Sequence, residues 1–399
     1  MLPEQNRTLN MDRMRYLLKR FGHPEKSFVP VLIAGTKGKG STGFFLQAIL
    51  EEAGITSGFY SSPHLVSPLE RIRIRGRAVS PKIWSRGLTG IRNELSRKPV
   101  PARLGQVTYF EVITLLALRL FQDAAVQVAV LEVGLGGRLD ATNAVEAPVS
   151  VITTLGLDHE ALLGSTLAKI TREKAAIIRP LAKVVIVPQK PEARRVLKQV
   201  LTREKAQAYG PLPLKGVRIG LEGAFQKINA GAAARAAGLL IQLLGGNLKP
   251  AVVRAGLARS DWACRMDRFE KKGHRFLLDG AHNPASAGAL VKSLLQTDAG
   301  VPGILIFGAS RDKRSDLMLR ELARFFDTVI LTRITGGRSQ ELETLMIQAR
   351  PWFRAIFPAA NLAAALRLAS KITEPKALTV ITGSLYLAGE ACRLLGRKP

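Results

Sequence analysis

The most constraining feature of this chain is the segment from Val31 to Phe45, which reads VLIAGTKGKGSTGFF. It begins with a run of branched apolar residues, typical of a buried parallel strand, and apolar residues at helical spacing follow its glycines. A strand, a glycine-rich turn and a helix in this order direct backbone N–H groups toward a phosphate. The segment therefore predicts a phosphate-binding loop, with Lys39 reaching the terminal phosphates and Ser41 or Thr42 beside Mg²⁺.

The strict GxxxxGK[ST] pattern is not met, because Gly40 stands between Lys39 and Ser41. Taken alone, the segment leaves a second interpretation open, in which it is an ordinary glycine-rich turn between a strand and a helix.

The length of 399 residues exceeds the size at which one core usually keeps growing, so two domains are expected. From Phe276 onward, apolar strands and amphipathic helices alternate again, which predicts a second doubly wound sheet. We predict an α/β fold with a P-loop-containing parallel-sheet ATPase domain over residues 1–268. A smaller Rossmann-like α/β domain follows over residues 269–399. Residues 189–220 are expected to be a short connection without a large element of their own.

The net charge of +28 indicates acidic ligands. The basic residues are scattered and are not interleaved with aromatic residues, which argues against a nucleic-acid-binding face. Cys264 and Cys392 are the only cysteines, and their spacing indicates neither a disulfide framework nor a zinc site. The longest apolar run is too short to span a bilayer, and the first residues are polar. We expect a cytoplasmic monomer with no membrane partner.

Three polar residues follow successive predicted strands. Glu132 ends the apolar strand over residues 126–131, Ser62 lies in the loop after residues 59–60, and His159 follows the strand over residues 149–153. The carboxyl ends of parallel strands meet at one edge of a sheet, so these side chains predict a site for one or two Mg²⁺ ions. Singly, each residue is equally consistent with an ordinary loop residue.

Lys174 falls on the apolar face of a predicted helix, together with Leu167, Ile170 and Ile177. Burying an ammonium is unfavourable unless it is paired, neutralised or modified. The alternative is that the side chain extends to solvent along its aliphatic stem.

Eight motifs in a fixed order give the chain a family resemblance: Ala34–Ser41, Ser61–Leu65, Thr108–Glu111, Leu131–Asn143, Gly156–His159, Arg172–Ala175, Asp279–Pro284 and Gly383–Tyr386. Together they resemble the folylpolyglutamate synthase/dihydrofolate synthase family of the Mur ligase superfamily. The resemblance covers nearly the whole chain, and the Leu131–Asn143 run is close to a family signature. The Asp140-Ala141 version of this run resembles the bifunctional enzymes.

The resemblance implies an ATP-dependent amide ligase that adds L-glutamate to dihydropteroate, to reduced folates, or to both, through an acyl-phosphate intermediate. Lys39, Lys174 and His159 are the implied catalytic residues, with Lys174 carboxylated by CO₂. Ser62, Glu132 and His159 are the implied Mg²⁺ ligands. The implied ATP-binding residues are Gly35, Thr36, Gly38, Lys39, Gly40, Ser41, Asn229, Arg265, Asp279 and His282. The implied pterin-binding residues are Thr108, Tyr109, Phe110, Glu111, Leu139, Asp140 and Ala141.

The sequence departs from the family pattern at two positions in the expected ATP site: Lys37 stands in place of the usual asparagine, and Phe225 in place of the usual histidine. Three alternatives stay open. A peptidoglycan-precursor ligase of the same superfamily is disfavoured by the motifs at 108–111 and 139–143. A nucleic-acid-dependent P-loop ATPase would be indifferent to folates. A non-catalytic folate-binding protein would bind pteroate without releasing ADP.

Overall fold

The structure, a computed structural model, describes residues 10–260, 262–301, 303–335, 338–374 and 377–397, apart from the side chain of Ala224. The chain divides into two compact units. The first comprises the residues up to 64, residues 69–220 and residues 226–260, and the second comprises residues 65–68, 221–225 and 261 onward.

The first unit is built on an eight-stranded sheet with the order β4-β3-β2-β5-β1-β6-β7-β8. All pairs are parallel except β2 with β3 and β3 with β4. The strands are β1 (Val29–Ala34), β2 (Ser57–Tyr60), β3 (Ile72–Ile74), β4 (Arg77–Ala78), β5 (Val128–Glu132), β6 (Val149–Ile152), β7 (Lys183–Ile186) and β8 (Gln207–Tyr209).

Helices connect the strands of this first unit. They are α1 (Met11–Arg20), α2 (Lys39–Glu52), α3 (Pro81–Arg97), α4 (Tyr109–Asp123), α5 (Glu160–Leu163), α6 (Leu167–Ala175), α7 (Pro191–Arg203), α8 (Ala224–Leu243) and α9 (Pro250–Ala258). Met14 and Leu17 of α1 pack with Leu116 and Phe121 of α4 in the main hydrophobic core of this unit. The central strands β1, β5 and β6 are buried on both faces, which explains their continuous apolar runs.

The second unit contains a six-stranded sheet with the order β13-β12-β11-β14-β10-β9, parallel except for β9 against β10. Its elements are β9 (Asp267–Lys271), β10 (His274–Leu278), α10 (Pro284–Thr297), β11 (Gly303–Phe307), α11 (Ser315–Leu322), β12 (Thr328–Thr332), α12 (Leu342–Ala349), β13 (Ala355–Ala359), α13 (Leu362–Ile372), β14 (Leu378–Thr382) and α14 (Leu385–Leu395). The predicted α/β class with two doubly wound sheets is therefore confirmed.

The prediction for residues 189–220 is wrong, because this stretch contains α7 and β8. Ala193, Val196, Leu197 and Val200 recur at helical spacing and are buried on one face of α7. The boundary predicted after residue 268 stays a prediction, and its first nine residues lie outside the described part of the chain. No helix among the described residues is both long and apolar enough to cross a membrane.

Candidate active site

The predicted phosphate loop lies at the centre of the first sheet. It leaves the carboxyl end of β1, between the parallel strands β5 and β6, and enters α2 at Gly38, the N-cap residue with a φ of 84°. The backbone N–H groups of Thr36 and Lys37 donate to the Thr154 carbonyl at 2.9 and 3.1 Å. These hydrogen bonds hold the loop against the end of β6.

Close packing explains two of the loop glycines. A Cβ on Gly35 would collide with the Thr153 hydroxyl, and a Cβ on Gly38 would collide with the Asn229 amide. Lys39 is the first residue of α2, and its Nζ donates to the Gly35 carbonyl at 3.2 Å. The lysine therefore folds back over the loop at the N-terminus of a 14-residue helix, where anions are favoured.

A hydrogen-bonded chain links the loop to α8. Asn229 Nδ2 donates to Gln226 Oε1 at 3.0 Å, and Gln226 Nε2 donates to Ser41 Oγ at 3.3 Å. Gly40, Ser41 and Thr42 are buried in the first turn of α2, and the buried Thr42 hydroxyl has no hydrogen-bond partner among the described residues. The structure thus brings Asn229, which the resemblance implies to be an ATP-binding residue, to the phosphate loop, and leaves a buried hydroxyl oxygen at its edge.

Two of the three predicted metal ligands are neighbours. The Ser62 backbone N–H donates to Glu132 Oε2 at 3.2 Å, and Glu132 is only 5% exposed at the end of β5. His159 occupies a left-handed conformation with a φ of 52° at the N-cap of α5, and its ring is exposed. Oxygen donors of this type suit Mg²⁺, so the Ser62–Glu132 pair fits a divalent ion.

Three-membered clusters of His, Cys, Asp or Glu suited to a metal ion do not occur among the described residues. The predicted set contains only two side chains of these types, since its third member is Ser62.

Lys174 lies in α6 and is 5% exposed, so its side chain does not extend to solvent as the alternative required. Burial lowers the pKa of its ammonium to about 7, with a further lowering from the positive charge of Lys39. Asp158 and Asp140 raise this pKa, but by less. A substantial fraction of Lys174 is thus a neutral amine near pH 7.

Gly137 of the 131–143 loop packs on the backbone of Lys174. A Cβ on Gly137 would lie 2.5 Å from the Glu173 carbonyl oxygen and 3.0 Å from Lys174 Cα. The glycine therefore permits the loop to contact α6 directly, which links the family-signature loop to the lysine.

Lys37 adds a second, half-buried cation to the site. Burial lowers the pKa of its ammonium to about 8, and Asp158 opposes that lowering. The departure from asparagine thus places a partly ionised amine in the phosphate loop.

Asp140 holds the 131–143 loop in shape. Its carboxylate accepts hydrogen bonds from the backbone N–H groups of Gly134 (3.0 Å), Leu135 (2.9 Å) and Thr142 (3.0 Å), and from the Thr142 hydroxyl (2.6 Å). Burial raises the pKa of Asp140, and these hydrogen bonds oppose the rise. The carboxylate is occupied by its own loop, between half-buried Leu139 and buried Ala141.

Phe110 meets this loop from the start of α4. A Cβ on Gly134 would lie 2.6 Å from Phe110 Cζ, and the rings of Phe110 and Tyr60 have centroids 5.9 Å apart. The Arg71 guanidinium lies 5.3 Å from the centroid of the Tyr109 ring. The predicted pterin-binding motifs, Thr108–Glu111 and Leu131–Asn143, therefore meet around Phe110 and Gly134.

Thr108 and Glu111 form a capping box at the N-terminus of α4. Arg13 Nε donates to both carboxylate oxygens of Glu111, Oε1 at 2.9 Å and Oε2 at 2.8 Å. Arg13 Nη1 also donates to the Leu104 carbonyl at 2.9 Å. Arg13 is 1% exposed. Both polar side chains of the motif thus fix the start of the helix.

Sequence reasoning missed Arg13, Arg71 and Gln226 as residues that shape the site. The first two stand in segments whose pattern indicates only an amphipathic helix and an exposed strand. Their partners lie 98 and 38 positions further along the chain. A local pattern carries no signal of such distant partners.

The predicted nucleotide contacts of the second unit gather at the end of β10. Asp279 accepts hydrogen bonds from the backbone N–H groups of Met266 (3.0 Å) and Ala281 (2.9 Å). Burial raises the pKa of Asp279, and the charge of Arg265 opposes the rise. A Cβ on Gly280 would lie 3.0 Å from an Arg265 guanidinium nitrogen, and His282 Nδ1 is 2.9 Å from the Gly280 carbonyl oxygen. Arg265, Asp279 and His282 are therefore neighbours.

Comparison with known proteins matches both units. The family described as "Mur ligase, glutamate ligase domain" matches residues 264–385. The chain is 32% identical over 454 aligned positions to the dihydrofolate synthase/folylpolyglutamate synthase of Mycobacterium tuberculosis, covering 100% of this chain and 92% of that protein.

Solved structures agree with the sequence match. The chain superposes on the Mycobacterium tuberculosis folylpolyglutamate synthase complexed with ADP with a TM-score of 0.88 and 30% identity, covering 100% of this chain and 96% of the other. A Yersinia pestis bifunctional folylpolyglutamate synthase/dihydrofolate synthase complexed with AMPPNP and Mn ion gives a TM-score of 0.85 at 28% identity, over 98% and 95% of the two chains.

Proposed function

Because this chain belongs to the folylpolyglutamate synthase/dihydrofolate synthase family of Mur ligases, we propose that it adds L-glutamate both to dihydropteroate and to reduced folates. It is an ATP-dependent ligase that joins an acid to an amino acid. The observation that carries the proposal is the phosphate loop at the head of α2, with Lys39 folded over it, in a chain that spans 92% of the relative's length.

ATP binds through its phosphates at this loop. The helix N-terminus, the loop N–H groups and Lys39 supply the positive potential that a triphosphate needs. Asn229 stands beside Gly38, where it positions the loop through Gln226 and Ser41. The resemblance also implies nucleotide binding by Arg265, Asp279 and His282, which are neighbours in the second unit.

A divalent ion would be held by Glu132, Ser62 and His159. When bound, it supplies charge neutralisation on the phosphate oxygens. The fit rests on the buried Glu132 carboxylate next to Ser62.

Lys174 is the residue that we propose to be carboxylated. The neutral amine attacks the carbon of CO₂ and releases one proton, which leaves a carbamate anion on Nζ. A pKa of about 7 makes this amine available under neutral conditions, whereas an ordinary lysine is almost fully protonated there. The modification turns a buried cation beside Lys39 into an anion, which removes the repulsion between them.

The ligation then proceeds in two displacements. The pterin substrate's carboxylate oxygen attacks the γ-phosphorus and ADP leaves. Next, the amine of L-glutamate attacks the acyl carbon, phosphate leaves and the amine loses a proton. The part of the site around Phe110, Gly134 and Asp140 orients the pterin, and Lys39 and Lys37 stabilise the charge on the transferred phosphoryl group. We also propose that the enzyme works in the cytoplasm.

The test is ADP release with Mg-ATP and L-glutamate, run separately with dihydropteroate, with tetrahydrofolate and without pterin. Release with both pterins supports the bifunctional ligase. Release with tetrahydrofolate alone limits the enzyme to polyglutamylation, and stimulation by a muramyl nucleotide or by nucleic acid instead would overturn the proposal. Light scattering at the assay concentration checks the monomer that we propose.

Lys39→Met provides the variant for this assay. We expect the ADP release rate to fall by roughly 100-fold or more, because a positioned charge on the phosphoryl group is lost. The matched control is Lys198→Met, which removes an exposed lysine of α7. Equal loss in both variants would mean that the phosphate loop is not the site of ATP turnover.

A further inference from the structure

The only two cysteines of the 399-residue sequence meet inside the second unit. Cys264 and Cys392 are 128 positions apart, both are 0% exposed, and their Sγ atoms are 2.8 Å apart. The Cys264 thiol also donates to the Ala388 carbonyl at 3.4 Å. The spacing of these cysteines along the chain does not predict this contact.

The pair joins the beginning and the end of the second unit. Cys264 is the first residue of the segment that matches the glutamate ligase domain, and it lies just before β9. Cys392 lies in α14, the last helix among the described residues. A covalent bond at this point would enclose nearly all of the second sheet in one loop.

We propose that Cys264 and Cys392 form a reversible disulfide bond that closes the second unit between its first loop and its last helix. The oxidant is a small-molecule disulfide such as oxidised glutathione. One cysteine thiolate attacks it and releases a reduced thiol, and the other then displaces the second thiol. The two cysteine sulfurs lose one electron each, and the small molecule accepts both.

The geometry favours the bond over two separate thiols. A disulfide has a sulfur–sulfur distance of about 2.05 Å, so closure from 2.8 Å requires under one ångström of movement. No other pairing is available to these residues within the chain, since no third cysteine exists. The bond therefore forms without competing intramolecular partners.

Burial determines when the bond forms. The contact with Cys392 and burial both raise the pKa of the Cys264 thiol, so little reactive thiolate is present while the unit is folded. Exchange with a small disulfide must therefore occur during folding or when α14 detaches. After closure, the same burial protects the bond from reductants.

Closure of a loop this long stabilises the fold by restricting the unfolded chain. It also fixes the residue next to Arg265 to α14. The bond itself does not depend on the proposed ligase function, and its test uses no activity.

The experiment uses the full chain, unfolded in urea and refolded either with dithiothreitol or with oxidised glutathione. Thiols are then counted in denaturant, and the intact mass is measured. We expect two thiols after reduction and none after oxidation, with the oxidised chain lighter by two hydrogens and monomeric on a non-reducing gel. Its midpoint of thermal unfolding should rise by roughly 5–10 °C.

Cys392→Ser and Cys392→Ala are the matched controls. Each keeps one thiol, and neither should show a difference in unfolding midpoint between the two treatments. Two titratable thiols after oxidation, a glutathione adduct on each cysteine, or a disulfide-linked dimer would each overturn the proposal. The thiol count and mass of the unmodified sequence decide the question even if a variant fails to fold.

Discussion

Replacing Lys174 with methionine should stabilise the protein while abolishing ligation. Methionine retains an unbranched side chain of similar length and removes the ammonium, whose pKa burial lowers from 10.5 to about 7. A lysine whose pKa is lower in the folded chain than in the unfolded chain destabilises the folded chain at every pH at which the unfolded lysine is protonated. The unmodified lysine therefore opposes folding at neutral pH, and the variant does not carry this penalty.

The size of the penalty follows from the two pKa values of Lys174, 10.5 unfolded and about 7 folded. At about 1.4 kcal/mol per pKa unit, it amounts to roughly 4 kcal/mol at pH 7 and roughly 2 kcal/mol at pH 9. The penalty is complete below pH 7 and disappears above pH 10.5, where the lysine is neutral in both states. The variant's advantage should therefore shrink as the pH rises.

The assay is urea unfolding of both proteins at several pH values, in buffer depleted of CO₂. Lys169→Met, which removes an exposed lysine of the same helix, is the control and should leave the free energy of unfolding nearly unchanged. Added bicarbonate should stabilise the unmodified protein and not Lys174→Met, because carboxylation removes the buried cation. A variant less stable than the unmodified protein at pH 7, or an advantage that stays constant to pH 9, would refute this reasoning. Near-normal ligation by Lys174→Met would refute the carbamate role.

Three further substitutions test the supports of the site. Arg13→Met leaves the buried Glu111 carboxylate without the positive charge of Arg13. The free energy of unfolding, measured with urea, should fall by about 3–5 kcal/mol. Adding Glu111→Gln to this variant should recover much of the loss, since glutamine retains the capping box. Gly137→Ala forces the 131–143 loop away from Lys174. It should lower the free energy of unfolding by about 1–3 kcal/mol and also lower the ligation rate. An unchanged ligation rate would show that ligation does not need the contact between Gly137 and Lys174. Glu132→Gln should slow ADP release roughly 100-fold and raise the Mg²⁺ concentration that the reaction requires. Its circular dichroism spectrum should match that of the unmodified protein. A normal Mg²⁺ requirement would contradict the role of Glu132 as a metal ligand.

The elements that sequence reasoning located best are those with a strong local pattern. The alternation predicted from Phe276 onward includes the strands Gly303–Phe307, Thr328–Thr332 and Leu378–Thr382, and each of them is a mainly apolar run between breakers. The prediction failed at α7, where charged residues on the exposed face obscured a buried stripe of Ala193 and Leu197. To predict an amphipathic helix of this kind, its apolar residues must be counted at helical spacing.

Within the candidate site, the motifs indicated candidate residues but not what their side chains contact. Asp140 and Glu111 belong to motifs that the resemblance associates with the pterin, and in the structure their carboxylates bind their own loop and helix start. Contact of these two carboxylates with substrate stays a prediction. The hydrogen bonds depend on how the backbone turns, and a residue type at a position does not determine that.

The buried charges of the site have a common physical explanation. Burial is the main cause of the lowered pKa values of Lys37 and Lys174, and Lys39 adds to the lowering at Lys174. The negative charge of Asp158, and of Asp140 at Lys174, does not offset it. A triphosphate at the loop would supply further negative charge, and carboxylation of Lys174 would supply more. The arrangement that opposes folding of the isolated chain is therefore the arrangement that favours binding of a polyanion. We therefore predict that Lys37, where the family pattern has asparagine, strengthens the attraction for ATP at the expense of stability in its absence.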